Sequence, residues 1–313
     1  MFGRFPPDGV SSDCNTDPYT GRMDTLQRDS EALADFLVAH PRLVVLTGAG
    51  ISAASGIPTY RDESGTWLPR APIQEQAFLR DARTRRRYWA RSWYGWPLIR
   101  DARPNAAHHA LARLEALGFV ELLITQNVDG LHQRAGSARV IDLHGRVDRV
   151  RCLSCATLHE RGSVQALLAA DNNFPPAPPG DVRPDGDREV PEEWLHQITL
   201  PQCPRCTGEL MPDVVFFGGA VPANRVITCI DALERADALL AIGSSLVVFS
   251  GFRFCRHAHR LGRQLAIINP GVTRADALAH LRLRSQAGPL LAATLALLEP
   301  APECVGGGAG VAG

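Results

Sequence analysis

Two stretches of the 313-residue sequence carry groups at spacings that can do chemistry. The first holds two Cys-x-x-Cys pairs, Cys152/Cys155 and Cys203/Cys206. Each pair turns two thiols to one side of a tight knuckle, and two knuckles close a tetrahedron around Zn²⁺. Four thiolates leave no open coordination position, so such a metal is structural. Free thiols or disulfides are the alternative, but a disulfide framework belongs to small secreted chains. The other cysteines, Cys14, Cys229, Cys255 and Cys304, are scattered. The second stretch is "LVVLTGAGISAASGIPTYRDESG", residues 43–65. Gly48 and Gly50 would let backbone N–H groups approach a pyrophosphate at the start of a helix. The dinucleotide fingerprint is incomplete, because Ala53 stands at its third glycine. Where that fingerprint places an acid about 20 residues on, at the end of the next strand, this chain offers Asp62 and Glu63. They share a loop with Arg61 that reads as a cover over the ligand.

His144 stands in "DLHGRV", shortly after the "TQNVDGLH" loop and directly before the first cysteine pair. That is the seam between two lobes, where ligand clefts sit. A histidine there can act as a general base, although a lone histidine is commonly structural. His132 competes for the role; its helical spacing from Asp129 assigns it to a helix wall. The sequence has no Gly-x-Ser-x-Gly elbow, no His-Glu-x-x-His and no cysteine in a nucleophile's setting. Without a protein nucleophile, a bound ligand is itself the electrophile.

The elements that must position these groups alternate. Helical spacing marks residues 24–40, 105–118 (an Asn start and a Gly stop), 223–236, 251–262 and 288–299. Strands are read at 42–47, 119–125, 213–219, 237–245 and 264–271, with further strand alternation around His144 at 138–152. Alternating strands and helices imply parallel βαβ units, hence an α/β fold with a doubly wound, Rossmann-like sheet. Four strands end in small or polar residues, namely Gly48/Gly50, Gln126/Asn127, Gly243/Ser244/Ser245 and Asn269/Gly271. Ligands bind at such carboxyl ends. The cysteine segment interrupts this series as a small zinc-binding lobe at 146–211. It contains a Pro/Gly/Asp-rich loop at 171–192. The sheet domain takes 30–145 and 212–300, with a flexible leader at 1–29 and a disordered tail at 301–313.

Hydrophobic residues make up 45% of the chain, enough to bury a sizeable core. Net charge is zero, so no global basic field points to nucleic acid or an anionic membrane. All 33 basic residues are Arg, a pattern that coding bias explains. No apolar run reaches the roughly 18 residues of a membrane span, and the first residues lack a signal-peptide core. A cytoplasmic protein is expected, with a monomer as the working expectation.

The motifs "GAGISAASGIPTYR", "TQNVDGLH", "LHG", "PDVVFFG", "GSS" and "INPG", with the two cysteine pairs, resemble the sirtuins. These are NAD⁺-dependent protein lysine deacylases, and the likeness spans roughly residues 30–298. Tyr60, "APIQ", "RRRYWARSWYGWP" and "SGFRF" resemble the family's class II branch, which includes a mitochondrial fourth sirtuin of animals, and a bacterial member of it. The resemblance implies consumption of NAD⁺ as co-substrate, one structural Zn²⁺ and acyl-lysine protein or peptide substrates. Nicotinamide and O-acyl-ADP-ribose leave, with His144 as base and Asn127 and Asp129 as further catalytic residues. Gly48, Ala49, Gly50 and Ser52 would cradle the phosphates, and Ile57, Pro58, Tyr60 and Arg61 would cover the nicotinamide end. Gln126, Asn127 and Asp129 would hold the nicotinamide ribose and carboxamide. Gly243, Ser244, Ser245, Asn269, Gly271 and Ala287 would bind the adenosine half. Val214, Phe217 and Gly218 would pair with the substrate backbone as an added strand. Gly219 departs from the family pattern, which has an acid there. An Arg between residues 83 and 97 is a candidate partner for an acidic acyl group, against a solvated Arg-rich helix. Mono-ADP-ribosyl transfer and a non-catalytic NAD⁺ or ADP-ribose sensor are the alternatives. A hydride-transferring dehydrogenase ranks last.

Overall fold

The computed structural model describes residues 18–60, 72–177 and 187–299, with side chains from residue 25. Arg61, Asp62, Glu63, Cys14, Cys304 and the tail lie outside the described residues.

β1 (Leu43–Thr47) is apolar on both faces, as a central parallel strand must be. Leu43 and Val45 face one layer of helices and Val44 and Leu46 the other. The strands β2 (Val120–Thr125), β3 (Val140–Asp142), β7 (Ala238–Ile242), β8 (Gln264–Ile268) and β9 (Leu281–Leu283) complete a six-stranded sheet. Its order is β3-β2-β1-β7-β8-β9, every pair parallel. On one face lie α1 (Pro18–Ala39), α4 (Ala106–Ala116) and α9 (Ala287–Leu298), packed through Leu37, Leu111 and Leu290. On the other lie α7 (Ala223–Arg235) and α8 (Phe249–Arg260), packed through Leu233, Phe254 and Cys255. Each fully buried Leu or Phe stabilises this packing by roughly 1.5–3 kcal/mol relative to exposure. The doubly wound sheet agrees with the sequence reading. Helix α1 starts at Pro18, earlier than the helical pattern at 24–40 and inside the stretch read as leader.

Strand order reverses between β1 and β7, so their carboxyl ends flank a crevice. The turns there touch directly. Gly50 N–H donates to Gly243 O at 2.8 Å, and a Cβ on Gly50 would lie 2.8 Å from that same oxygen. The glycines therefore have a structural role beyond any ligand: they let two backbones meet. The helix that follows is also not the α-helix expected. Residues Ala49–Ser55 form a 3-10 helix that stops at Gly56, whose φ of 82° is left-handed.

The small lobe carries an antiparallel sheet, β5-β4-β6, from Leu158–Glu160, Gly145–Cys152 and Leu210–Val214. α6 (Arg161–Asp171) covers it. Two further helices, α2 (Glu75–Arg80) and α3 (Ala82–Asp101), pack here through Phe78, Tyr88 and Trp89. Sequence pattern alone assigns residues 75–101 to the sheet domain, whereas Phe78, Tyr88 and Trp89 pack into the small-lobe core. The apolar run at 213–219 is a strand only to Val214, because pairing with β4 sets its extent. Arg161 is buried against Trp89 and Trp96, 5.3 and 5.6 Å from the ring centres. Among the described residues no helix is long and apolar enough to cross a membrane.

Gly50→Ala is expected to push the β1 and β7 turns apart, at a cost of about 1–3 kcal/mol. A lower thermal midpoint together with weakened NAD⁺ binding checks this; an unchanged midpoint would show that the turns are not packed as described.

Candidate functional site

The carboxyl ends of β1, β2, β7 and β8 open into one cleft of about 960 Å³. Nearly every residue singled out above lines it. Gly48, Ala49, Gly50, Ser52, Ile57 and Tyr60 come from the β1 turn and its sequel. Gln126, Asn127, Asp129 and His144 come from the loops after β2 and β3. Gly243, Ser244, Ser245, Asn269, Gly271 and Ala287 form the other half, and Val214, Phe217 and Gly218 the small-lobe rim. Pro58 is not among the lining residues, and Arg61 lies outside the described residues.

Asn127, Ser52 and Asp129 form one connected polar group. Asn127 Nδ2 donates to Gly48 O (3.1 Å) and Ser52 Oγ (3.0 Å). Ser52 in turn donates to Asp129 Oδ2 at 2.8 Å, and Leu131 N–H donates to Oδ1 at 2.9 Å. Burial raises the Asp129 pKa, and these hydrogen bonds oppose that rise. Beneath lie two buried histidines with ring centres 4.8 Å apart. His108 Nδ1 accepts from Asn105 N–H, which leaves Nε2–H to face Ser52 Oγ at 3.5 Å. Asn105 caps α4 as its sequence position predicts, and its Nδ2 also reaches Ile51 O (2.8 Å). His132 Nε2 meets Thr47 Oγ1 at 3.0 Å, and Thr47 donates to Thr125 Oγ1 at 3.0 Å. His132 is thus a core residue under the site, on α5 (Leu131–Arg134), and does not line the cleft. Desolvation drives the His108 pKa to about 4 and that of His132 to about 3.

His144 sits where the chain leaves the parallel sheet for the small lobe. Its own carbonyl accepts from Val215 N–H at 2.8 Å. Its Nδ1 lies 2.9 Å from Gln126 O, and a carbonyl can only accept, so Nδ1 carries the proton. Nε2 then holds the lone pair. Burial lowers the ring's pKa, and Arg225 and Arg253 add to this. The ring is neutral at physiological pH, the protonation state a general base needs.

Several further residues reach the cleft whose roles residue type and spacing alone do not assign. Ser250 Oγ lies 2.7 Å from His144 Nε2, although 106 positions separate them. Tyr88 and Asp187 reach the cleft from the small lobe. Glu75 stands over Gly219, where an added Cβ would collide with its carboxylate. Its N–H donates to Phe217 O (2.9 Å), so that carbonyl is already engaged on one edge. Tyr60 packs edge-on to Phe217, ring centres 6.4 Å apart. Ser250 opens the "SGFRF" motif at the start of a helix, which marks the position but not its partner.

The arginines of α3 are engaged by other parts of the chain, and Arg91 and Arg85 point inward. Arg91 is fully buried and pairs with Asp187 (3.2 Å) and Glu189 (3.4 Å). Arg85 pairs with Glu209 (2.6 Å), Arg86 bonds to Ile198 O (3.1 Å), and Arg83 pairs with Glu192. Among the described residues lining the cleft, Arg253 is the single cation.

The four paired cysteines converge, with all sulfurs within 4.8 Å of one another. The Cys152–Cys206 and Cys155–Cys203 separations are 3.5 and 3.8 Å. A disulfide needs about 2.05 Å, whereas a tetrahedron with ~2.3 Å Zn–S arms has edges of about 3.8 Å. The two knuckles are built alike. Cys152 N–H donates to Thr157 O and Cys203 N–H to Gly208 O, both at 2.9 Å. Ala156 and Thr207, each just after its second cysteine, both have a φ of 58°. The donor set fits one structural Zn²⁺ and leaves it no open position.

Comparison with known proteins agrees with this arrangement. A family model described as "Sir2 family" matches residues 48–250. An "NAD-dependent protein deacetylase" of Bordetella bronchiseptica is 50% identical over 270 residues, covering 86% of this chain and 98% of that protein. The "NAD-dependent protein deacylase Sirt4" of Drosophila melanogaster is 42% identical over 269 residues, covering 85% and 86% respectively. A solved structure described as "Sir2-p53 peptide-NAD+" superposes with a TM-score of 0.67 at 28% identity, covering 85% of this chain and 97% of that one.

His108 and His132 both titrate lower in the fold than the ordinary 6.5. Below pH 6.5 the unfolded chain therefore binds more protons, and stability falls as pH drops toward 4. Thermal midpoints between pH 7.5 and 4.5 are expected to show this loss, and His132→Gln to reduce its slope. A midpoint independent of pH over that range would contradict it. Metal analysis is expected to find one zinc per chain, and a strong chelator to lower the thermal midpoint; a zinc-free protein of unchanged stability would refute the metal.

Proposed function

The chain belongs to the Sir2 family, and from that premise we propose that it removes acyl groups from lysine side chains of proteins at the expense of NAD⁺. The supporting observation is His144: a neutral, buried imidazole, its tautomer set by Gln126 O, at the cleft where four strand ends converge. NAD⁺ is a substrate consumed in the reaction, which releases nicotinamide and O-acyl-ADP-ribose.

Each side chain has a stated task. Asn127 and Asp129 hold the nicotinamide end, each already oriented by Ser52, so little reorganisation is needed on binding. Tyr60, edge-on to Phe217, excludes water from that end. Ser244, Ser245 and Asn269 receive the adenosine half. The rim at 214–218 receives the acyl-lysine segment. His144 takes the proton from a ribose hydroxyl, whose oxygen then attacks the acyl-derived carbon.

Acyl groups without charge fit this site best. The cleft wall near Val214 is formed by Ile57, Tyr88, Val147 and Phe216. Of the two cations fully buried among the described residues, Arg91 is already paired with Asp187 and Glu189, and Arg161 packs against Trp89 and Trp96 and does not line the cleft. An acidic acyl group would displace an ion pair to gain one, a poor exchange in a buried setting.

The test is incubation with NAD⁺ and a panel of acyl-lysine peptides, with mass-spectrometric detection of O-acyl-ADP-ribose. Acetyl and longer neutral acyl groups are expected to turn over faster than succinyl or glutaryl. His144→Tyr is expected to abolish turnover and keep NAD⁺ binding. No peptide-dependent nicotinamide release from any acyl group would end the deacylase reading. Label transferred to protein without an acyl-lysine would favour mono-ADP-ribosyl transfer instead.

A further inference from the structure

The lone pair of the base is already in use. His144 Nδ1–H is committed to Gln126 O at 2.9 Å, so Nε2 is the ring's single acceptor. Ser250 Oγ lies 2.7 Å from it, and because Nε2 carries no proton the hydroxyl must be the donor. Ser250 belongs to the first turn of α8 and lines the same cleft as His144. Its position is enforced from both sides. Gly251, the next residue, lets α8 press against Gln126, since a Cβ there would lie 2.5 Å from Gln126 Oε1. Gln126 in turn donates to Ser244 Oγ (2.9 Å) and holds the imidazole through its carbonyl. One residue thus sets the distance between the serine and the ring.

A substrate hydroxyl approaching His144 has two routes to the lone pair. It can expel Ser250, which leaves that hydroxyl without its acceptor, or it can hydrogen-bond to Ser250 Oγ and use the contact that exists. We infer that Ser250 relays the proton from the substrate's ribose hydroxyl to His144. The ribose O–H bond breaks and its proton passes to Ser250 Oγ. The serine's own proton passes to Nε2, giving the imidazolium. The freed electron pair on the ribose oxygen forms the bond to the imidate carbon derived from the acyl group, as that carbon's C=N π pair moves onto the lysine nitrogen. Two protons move, charge balances, and no co-reactant is needed. The charged groups facing the ring are Arg225 from α7 and Arg253 from α8. Both disfavour the imidazolium, so the proton is held there only briefly.

This rests on the deacylase reading, and the experiment separates the two. Ser250→Ala and Ser250→Thr are assayed for deacylation and, in parallel, for exchange of labelled nicotinamide into NAD⁺, which precedes the base-dependent step. Ser250→Ala is expected to slow deacylation by roughly tenfold or more, the lower range of what a positioned proton-transfer group contributes. The ratio of exchange to deacylation rises by the same factor. Ser250→Thr keeps a hydroxyl and restores most of the rate. Deacylation rates in mixtures of H₂O and D₂O are expected to curve for the unaltered enzyme, with two protons in flight, and to be linear for Ser250→Ala. Deacylation by Ser250→Ala at the unaltered rate or faster overturns the relay, as does a linear solvent dependence in the unaltered enzyme. Absence of nicotinamide release by the unaltered enzyme is a separate result and counts against the deacylase reading itself.

Discussion

The structure depends on one close backbone contact, between Gly50 and Gly243 at the point where strand order reverses. Two parallel strands that leave their sheet in opposite directions normally splay apart at their carboxyl ends. Here glycine on both sides lets the turns bond at 2.8 Å, so the crevice has a rigid floor. From that floor Ser52 points toward Asn127 and Asp129, and Asn105 ties the same turn to the start of α4. Ser244 is brought close enough to hold Gln126, and through Gln126 the His144 ring is positioned. Few of these contacts would survive a shift of an ångström in the first.

Around this floor, burial does the electrostatic work. Asp129, His108, His132 and His144 are all shielded from water, and each pKa moves toward the neutral form. The predicted acid-side instability follows from this, and so does the neutral His144 imidazole that faces the cleft. Hydrogen bonds make the burial tolerable. Ser52 alone has its donor and both acceptor positions used, by Asp129, Asn127 and His108. A chain of this kind strengthens when every member is satisfied and weakens sharply when one is removed.

Much of this was legible in local pattern. Period-2 and period-3.6 runs located the main strands and helices. The Asn105 cap, the cysteine knuckles and the seam position of His144 follow from residue type and spacing. Their physical causes are local: a turn that needs glycine, a cap that needs a short acceptor, a thiol pair on one knuckle. The remainder depends on contacts distant in sequence. Helices α2 and α3 joined the small lobe because Phe78, Tyr88 and Trp89 found its core, which nothing near them in sequence announces. The strand expected through Gly219 ended at Val214 because its partner, β4, ended there. The Gly turn opens a 3-10 helix, which a left-handed Gly56 stops after seven residues. Ser250 was visible only as the first residue of "SGFRF", since its partner is a ring 106 positions away. The Arg-rich helix looked like a charged surface or an acyl-binding wall, and burial turned Arg91 into an internal counter-ion.

That last substitution of role has a wider reach. The chain uses Arg for every basic side chain, including the two that are fully buried among the described residues, Arg91 and Arg161. A guanidinium cannot be acylated under the conditions that acylate lysine amines, and it holds its charge in the interior. The protein that strips acyl groups from other chains therefore presents no side chain of its own to that modification. It cannot compete with its clients as a substrate, and rising acyl-donor levels in a cell cannot neutralise its internal ion pairs. Its output is open-loop with respect to the mark it erases.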